Sequence, residues 1–265
     1  MSSKKAILVV SFGTSYNENR EKTIDAVEKC ISENFKDWEV RRAFTSRMII
    51  KKLKERDGLS IDYIDEAMQR LADDGFTDVI VQPTHIINGI EYDFVVENAE
   101  KFRNKFESLR IGRPLLTDSK DYLNVADAIL YGVLRPAVDI GGNDTAIVLM
   151  GHGTDHYANS AYSQLQLVLE LFVPDVFVTT VEGFPSYANT MRLMKGKGYR
   201  NVVIQPFMLV AGDHANNDMI GGEDSLKSAL EHNGYKVFPV IKGLGEIEEF
   251  RQLFAEHVRD MIEDD

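Results

Sequence analysis

The sequence predicts an α/β protein built as two similar Rossmann-like lobes, each a parallel sheet flanked by helices, the lobes facing a central cleft. Three observations lead to this. Apolar runs of strand length alternate with amphipathic stretches of helical length. Those runs are mostly β-branched and show little polar alternation, as expected of parallel strands buried on both faces. The chain also repeats itself. Gly75-Phe-Thr-Asp-Val-Ile-Val-Gln-Pro83 returns as Gly198-Tyr-Arg-Asn-Val-Val-Ile-Gln-Pro206, and Ala6-Ile-Leu-Val-Val-Ser-Phe-Gly-Thr14 returns as Ala146-Ile-Val-Leu-Met-Gly-His-Gly-Thr154.

The expected strands are residues 6–10, 40–44, 79–82, 147–150, 176–181 and 202–204. Helices are expected at 21–35, at 61–74 with Ser60 as N-cap, at 94–106 and at 123–134. In the second half 161–172, 187–195, 223–232 and 246–262 fill the same roles. The stretch 135–144, with a proline, paired glycines and polar residues, reads as the joint. The lobes are therefore expected at 1–135 and 136–265, with the last helix able to pack back on the first lobe. The offset between copies is 140 residues from Ala6 to Ala146 and 123 from Gly75 to Gly198, which places an insertion in the first copy, chiefly around 51–60.

Bulk properties exclude several classes. A net charge of −12 argues against general affinity for nucleic acid or anionic membrane. One cysteine, Cys30, rules out an internal disulfide framework, suits a reducing compartment and reads as a packed helix position. No apolar run approaches the ~20 residues of a membrane span, and no signal peptide is visible, so a cytoplasmic protein is expected. HExxH, CxxC and GxSxG are absent. Gly13-Thr14 after the first strand is not GxGxxG, so no nucleotide cofactor is expected.

The two copies differ where chemistry would sit. Phe12 aligns with His152, and Glu91 with His214. In doubly wound sheets ligands bind outside the carboxyl ends of the strands, where all four residues fall. Gly151-His-Gly153 lets the backbone turn and frees the imidazole. Glu182 closes an otherwise apolar strand, and a buried carboxylate there would need a partner. His152, Glu182 and His214 would form a His₂–carboxylate set suited to Co²⁺, Fe²⁺, Ni²⁺ or Zn²⁺. His156 is a weaker candidate, because Gly153-Thr-Asp155 reads as a loop. Asp93 and His85 accompany Glu91 on the segment facing that set, but Asp93 reads rather as a helix cap and His85 as a packed side chain. Arg41, Arg42, Arg47, Lys51, Lys52, Lys54 and Arg56 form either a solvated face or a lip that steers an anion.

Ser11-Phe-Gly-Thr-Ser15, Arg42-Ala-Phe-Thr-Ser46, Gln82-Pro-Thr-His-Ile-Ile-Asn-Gly-Ile-Glu91, Gly151-His-Gly153, Val181-Glu-Gly183 and Gly212-Asp-His-Ala-Asn-Asn-Asp218 together resemble the anaerobic, class II cobalt chelatases over essentially the whole chain. That resemblance implies two α/β lobes around a tetrapyrrole cleft and insertion of Co²⁺ into sirohydrochlorin in cobalamin biosynthesis. It assigns metal binding to His152, Glu182 and His214, and an acidic role in the cleft to Glu91. Phe12, Gly13, Thr14, Asn88, Gly89, Ile90, Glu91 and Arg42 are expected to line the substrate. Insertion needs a weakly held cation and a base for pyrrole protons, and neutral imidazole serves both needs near pH 7. His152 is the expected proton acceptor, with Glu91 as a relay. The same insertion with Fe²⁺ or Ni²⁺, and a non-catalytic tetrapyrrole or metal carrier, stay open as alternatives. Self-association into a homo-oligomer is compatible with the fold but is not read from the sequence.

Overall fold

A computed structural model of the chain describes residues 3–263. The first half runs β1 (Lys5–Ser11), α1 (Asn17–Lys22), α2 (Ile24–Asn34), β2 (Glu39–Phe44), α3 (Arg47–Asp57), α4 (Ile64–Asp73), β3 (Asp78–Pro83), α5 (Ile90–Glu100) and β4 (Ser108–Ile111). Next come α6 (Ser119–Ile129), α7 (Arg135–Gly141), β5 (Thr145–Gly153), α8 (Ser160–Phe172) and β6 (Val176–Glu182). The chain continues through α9 (Tyr187–Met194), β7 (Asn201–Pro206), α10 (Leu226–His232), β8 (Lys236–Pro239) and α11 (Glu248–Glu263).

These elements form two compact units. One takes the chain up to Leu115 together with Arg251 onward; the other is Leu116–Phe250. The chain passes from one to the other between Leu115 and Leu116, ahead of the joint expected at 135–144. That expected joint is helical instead. α6 runs through a π-helical turn, Leu130–Leu134, into α7. Pro136 sits in the first turn of α7. Proline cannot donate into a regular helical ladder, and a wide turn just before it accommodates the missing bond.

Each unit holds a four-stranded parallel sheet, ordered β2-β1-β3-β4 in the first and β6-β5-β7-β8 in the second. The central strands are fully buried, as at Ile7, Leu8, Val148 and Leu149. Beneath one face of the first sheet, Leu8, Val81, Met68 and Val95 share a core; Val148, Ile204, Met194 and Leu230 share the corresponding one in the second. Burial of such continuous apolar strands contributes roughly 25 cal/mol per Å² removed from water, which drives sheet and helices together.

The repeat extends to single hydrogen bonds. Gln82 and Gln205 are both buried at the ends of β3 and β7. Each donates its amide N–H₂ to a carbonyl just past the neighbouring edge strand, Arg113 O and Lys242 O, at 3.3 Å. Further along, Leu115 N–H donates to His85 O at 3.0 Å and Leu244 N–H to Met208 O at 2.9 Å. The two Gln-Pro motifs thus tie equivalent loops to equivalent strands.

Several boundaries differ from the sequence reading. β4 and β8 were not foreseen; they are four residues long, lie at sheet edges and are only partly buried, so their apolar signal is weak. Ser60 caps no helix. α4 starts at Ile64, and the Glu66 carboxylate accepts the Tyr63 N–H at 2.9 Å to close its first turn. α5 starts at Ile90, not residue 94, with Gly89 as N-cap and two acids, Glu91 and Asp93, in the first turn where the helix dipole favours negative charge. Cys30 is buried on α2.

Candidate active site

The second unit builds its site at the carboxyl end of β5. Gly151 and Gly153 flank His152 for steric reasons that differ. A Cβ at Gly151 would lie 2.4 Å from the Tyr162 ring, and one at Gly153 would lie 1.5 Å from the backbone oxygen of Glu182. Gly153 also has φ +80°, a left-handed conformation that side chains resist. The strand can therefore press against both α8 and β6 while the imidazole of His152 stands exposed. Burial pushes the Tyr162 phenol up to about 12, opposed by the backbone of Gly153 and His152, so Tyr162 packs beneath the loop as a neutral group.

His214 follows β7 and opens a π-helical turn, Ala215–Met219. Its ring meets that of His152 edge to face, with centroids 4.5 Å apart. Two imidazoles remote in sequence are thus brought together within one unit. Their tautomers follow from their partners. His152 Nδ1 lies 2.8 Å from the Gly153 carbonyl oxygen, which can only accept, so Nδ1 carries the proton. His214 Nδ1 lies 2.7 Å from Asp218 Oδ2 and is protonated for the same reason. In the neutral state both rings therefore direct their lone pair from Nε2. A lone pair there can ligate a divalent metal or take up a proton.

Glu182 ends β6 with its Cα in register with Gly153. It is exposed, not buried as the apolar strand before it suggests, because β6 rises out of the core at Val181. Among the described residues, no three His, Cys, Asp or Glu side chains form a group that could hold a metal ion. What is preassembled is the imidazole pair, with a carboxylate at the adjacent strand end. His156 has a local duty: its Nδ1 accepts the Ala158 N–H at 3.3 Å and its ring lies on Tyr157.

In the first unit the corresponding strand ends carry the residues expected to line a substrate. Phe12 is 48% exposed after β1. Gly13 has φ +98°, and a Cβ there would lie 2.5 Å from the Phe44 ring. Thr14 is buried, and its hydroxyl accepts the Tyr16 N–H at 3.2 Å. Asn88 is half-buried, Gly89 buried, and Ile90 exposed at the start of α5. Glu91 is exposed and accepts the Thr45 hydroxyl at 3.2 Å, a bond linking the end of β2 to α5. His85 is a packed side chain: both ring nitrogens are sealed without a partner, although the residue as a whole is half-buried. Desolvation lowers its pKa to about 4, so it is neutral at physiological pH.

The basic segment does not form one lip. Consecutive strand residues face opposite sides of a sheet, so Arg41 and Arg42 diverge. Arg42 reaches back to α2, where Glu28 accepts from its Nε at 2.7 Å and Asp25 also accepts. Arg41 pairs with Glu39 and Asp74, Arg56 with Asp57, and Arg47 lies over the Tyr63 ring. Local acids thus occupy most of the guanidinium charge, and Arg42 is not a free anion contact.

Two neighbours of the imidazole pair escaped the sequence reading. Asp218 was legible only as an acid four residues past His214, a spacing that places both on one helical face. Tyr187, at the start of α9, gave no local signal. Its hydroxyl donates to the Asp218 backbone carbonyl at 3.2 Å and lies 3.5 Å from Met150 Sδ.

No described helix is long and apolar enough to cross a membrane. Comparison with known proteins matches residues 5–263 to the family model described as cobalt chelatase (CbiK). The sirohydrochlorin cobaltochelatase of Salmonella typhimurium is 39% identical over 260 residues, covering 98% of this chain and 97% of its own. The sirohydrochlorin cobaltochelatase CbiKC of Nitratidesulfovibrio vulgaris is 34% identical over 258 residues, covering 96% of this chain and 89% of its own. Among solved structures, SirB from Bacillus subtilis with Fe³⁺ superposes with a TM-score of 0.67 at 18% identity, covering 97% of this chain and 95% of that one. At that identity the superposition speaks to fold alone.

Proposed function

The chain belongs to the cobalt chelatase family, and from that membership we propose that it is a sirohydrochlorin cobaltochelatase, exchanging two pyrrole protons of the macrocycle for Co²⁺. The observation that carries the reading is the His152–His214 pair, with ring centroids 4.5 Å apart and both Nδ1 atoms already committed. A resident metal site gains from closing its shell. A chelatase must hold its cation loosely enough to give it up, and two neutral imidazoles with an open side suit that need. In this reading Nε2 of His152 and of His214 hold the incoming cation, and Glu182 supplies a carboxylate that balances its charge. As ring nitrogens replace these ligands, His152 Nε2 is released and accepts the two pyrrole protons in succession, each passing on to solvent water before the next is taken. Glu91, held by Thr45, serves as an acidic relay, and Phe12, with Gly13, Thr14, Asn88, Gly89 and Ile90, contacts the tetrapyrrole. In this reading the activity belongs to anaerobic cobalamin biosynthesis in the cytoplasm.

The test is turnover. Purified protein with sirohydrochlorin and Co²⁺ is expected to accelerate the absorbance change of metal insertion above the spontaneous rate. Absence of acceleration would leave only a carrier. Running Fe²⁺ and Ni²⁺ beside Co²⁺ compares insertion rates and not only affinities, since the intrinsic affinity order of a nitrogen and oxygen site follows the metal rather than the protein.

A further inference from the structure

Holding the cation on two imidazoles from different loops requires that the loops stay in register with one another, and the second unit contains a device suited to that. His214 stands at the head of a single π-helical turn, 40% exposed at its side chain. One turn on, the Asp218 carboxylate accepts from His214 Nδ1 at 2.7 Å. Asp218 is itself tethered, because its backbone carbonyl accepts the Tyr187 hydroxyl at 3.2 Å. The same hydroxyl reaches Met150 Sδ at 3.5 Å, two residues before His152 on β5. One phenol therefore touches both segments that carry the imidazoles. Tyr187 is half-buried against the apolar core of this unit, which fixes its ring while its hydroxyl spans the two loops.

We propose that Asp218 and Tyr187 are positioning residues that keep the His214 lone pair aimed at the cation beside His152. Asp218 selects the tautomer with the proton on Nδ1 and fixes the ring's rotation. Without an acceptor at Nδ1 the proton is free to move to Nε2, which turns a metal ligand into a donor. Tyr187 ties the turn that carries Asp218 to the strand that carries His152. This inference rests on the reading of His152 and His214 as the metal-holding pair.

The experiment measures Co²⁺ alone binding to the intact protein, by its visible d–d absorption, together with steady-state KM for Co²⁺ and for sirohydrochlorin. Loss of an outer partner of a metal-bound histidine typically costs about 10–100-fold in metal affinity. Asp218→Ala is expected to weaken Co²⁺ binding and raise its KM by about that factor while KM for sirohydrochlorin stays put. Asp218→Asn, which still accepts from Nδ1, should recover part of the loss. Tyr187→Phe keeps the ring, removes both hydroxyl contacts, and should raise KM for Co²⁺ by a smaller factor. The idea is overturned if Asp218→Ala and Tyr187→Phe leave Co²⁺ affinity and spectrum unchanged, whether or not they melt at lower temperature. His214→Ala is the control. If it abolishes Co²⁺ binding while the Asp218 variants do not, only the positioning role fails; if His214→Ala also binds normally, the metal-holding role fails with it.

Discussion

The Cα of Gly153 faces the Cα of Glu182 across the β5–β6 ladder, and the Glu182 carbonyl oxygen fills the space a side chain at Gly153 would need. This contact sets the residue after His152 beside the residue that ends β6. It also makes the glycine a steric requirement and not merely a flexible point, which leads to the first prediction.

Gly153→Ala must find room for a Cβ placed 1.5 Å from backbone and must do so at φ +80°. Left-handed strain alone costs of order 1–3 kcal/mol, and backbone cannot rotate away as a flexible side chain would. The variant should melt several degrees lower and lose metal insertion, because β6 and the His152 loop have to separate. A variant with wild-type melting and full activity would show that the strand ends are not packed as described.

His152→Ala and His214→Ala should each cut the insertion rate by more than ~100-fold, since a ligand or base is worth at least what its supporting partners are. His152 is exposed and His214 partly so, and neither belongs to the apolar core of the unit, so thermal melts should stay close to wild type. If both variants melt far lower, the histidines are structural.

Arg42→Ala should behave as a stability variant. It leaves Glu28, whose pKa burial raises while Arg42 lowers it, without its main compensating partner. Removing one partner of a part-buried charged hydrogen bond costs about 1–3 kcal/mol. Urea unfolding should detect this, while KM for sirohydrochlorin stays within about twofold of wild type, inside the scatter expected of a residue with no ligand contact. A several-fold rise in KM with unchanged stability would return Arg42 to the substrate-binding surface.

His85 should make the fold acid-sensitive. Its pKa is about 4 when folded against the unperturbed 6.5, so between these values the unfolded chain binds a proton that the folded chain refuses. Stability contributed by neutral His85 is therefore complete above about pH 6.5 and is lost as pH falls toward about 4. At pH 5 the loss is on the order of 2 kcal/mol relative to pH 7.5. His85→Gln should flatten this part of the stability profile in urea titrations. A variant that loses stability over pH 7.5–5 as steeply as wild type would show that His85 is not the group responsible.

Much of the frame was legible because it rests on local rules. The duplicated Gln-Pro strands, the continuous β-branched runs and the glycines around His152 all speak through their immediate neighbours, and His152 and His214 could be placed at strand ends from the repeat alone. What stayed hidden depends on partners distant in sequence. Nothing near Arg42 shows that Asp25 and Glu28 on α2 will hold it. Nothing before Glu182 shows that β6 has already left the core when it arrives. Tyr187 is silent until α9 is packed against the turn after β7. Edge strands β4 and β8 were missed because an exposed flank needs fewer apolar residues.

The paired glutamines, Gln82 and Gln205, have a consequence for how such a molecule can change. The same latch under the same strand order ties the loop after the edge strand to β3 in a unit that presents Phe12 and Glu91, and to β7 in a unit that presents His152 and His214. Because the latch lies beneath the strand tips and makes no use of what they present, the tips are free to diverge while the scaffold stays put. Such separation lets an ancestral duplicate specialise its two ends without renegotiating its core.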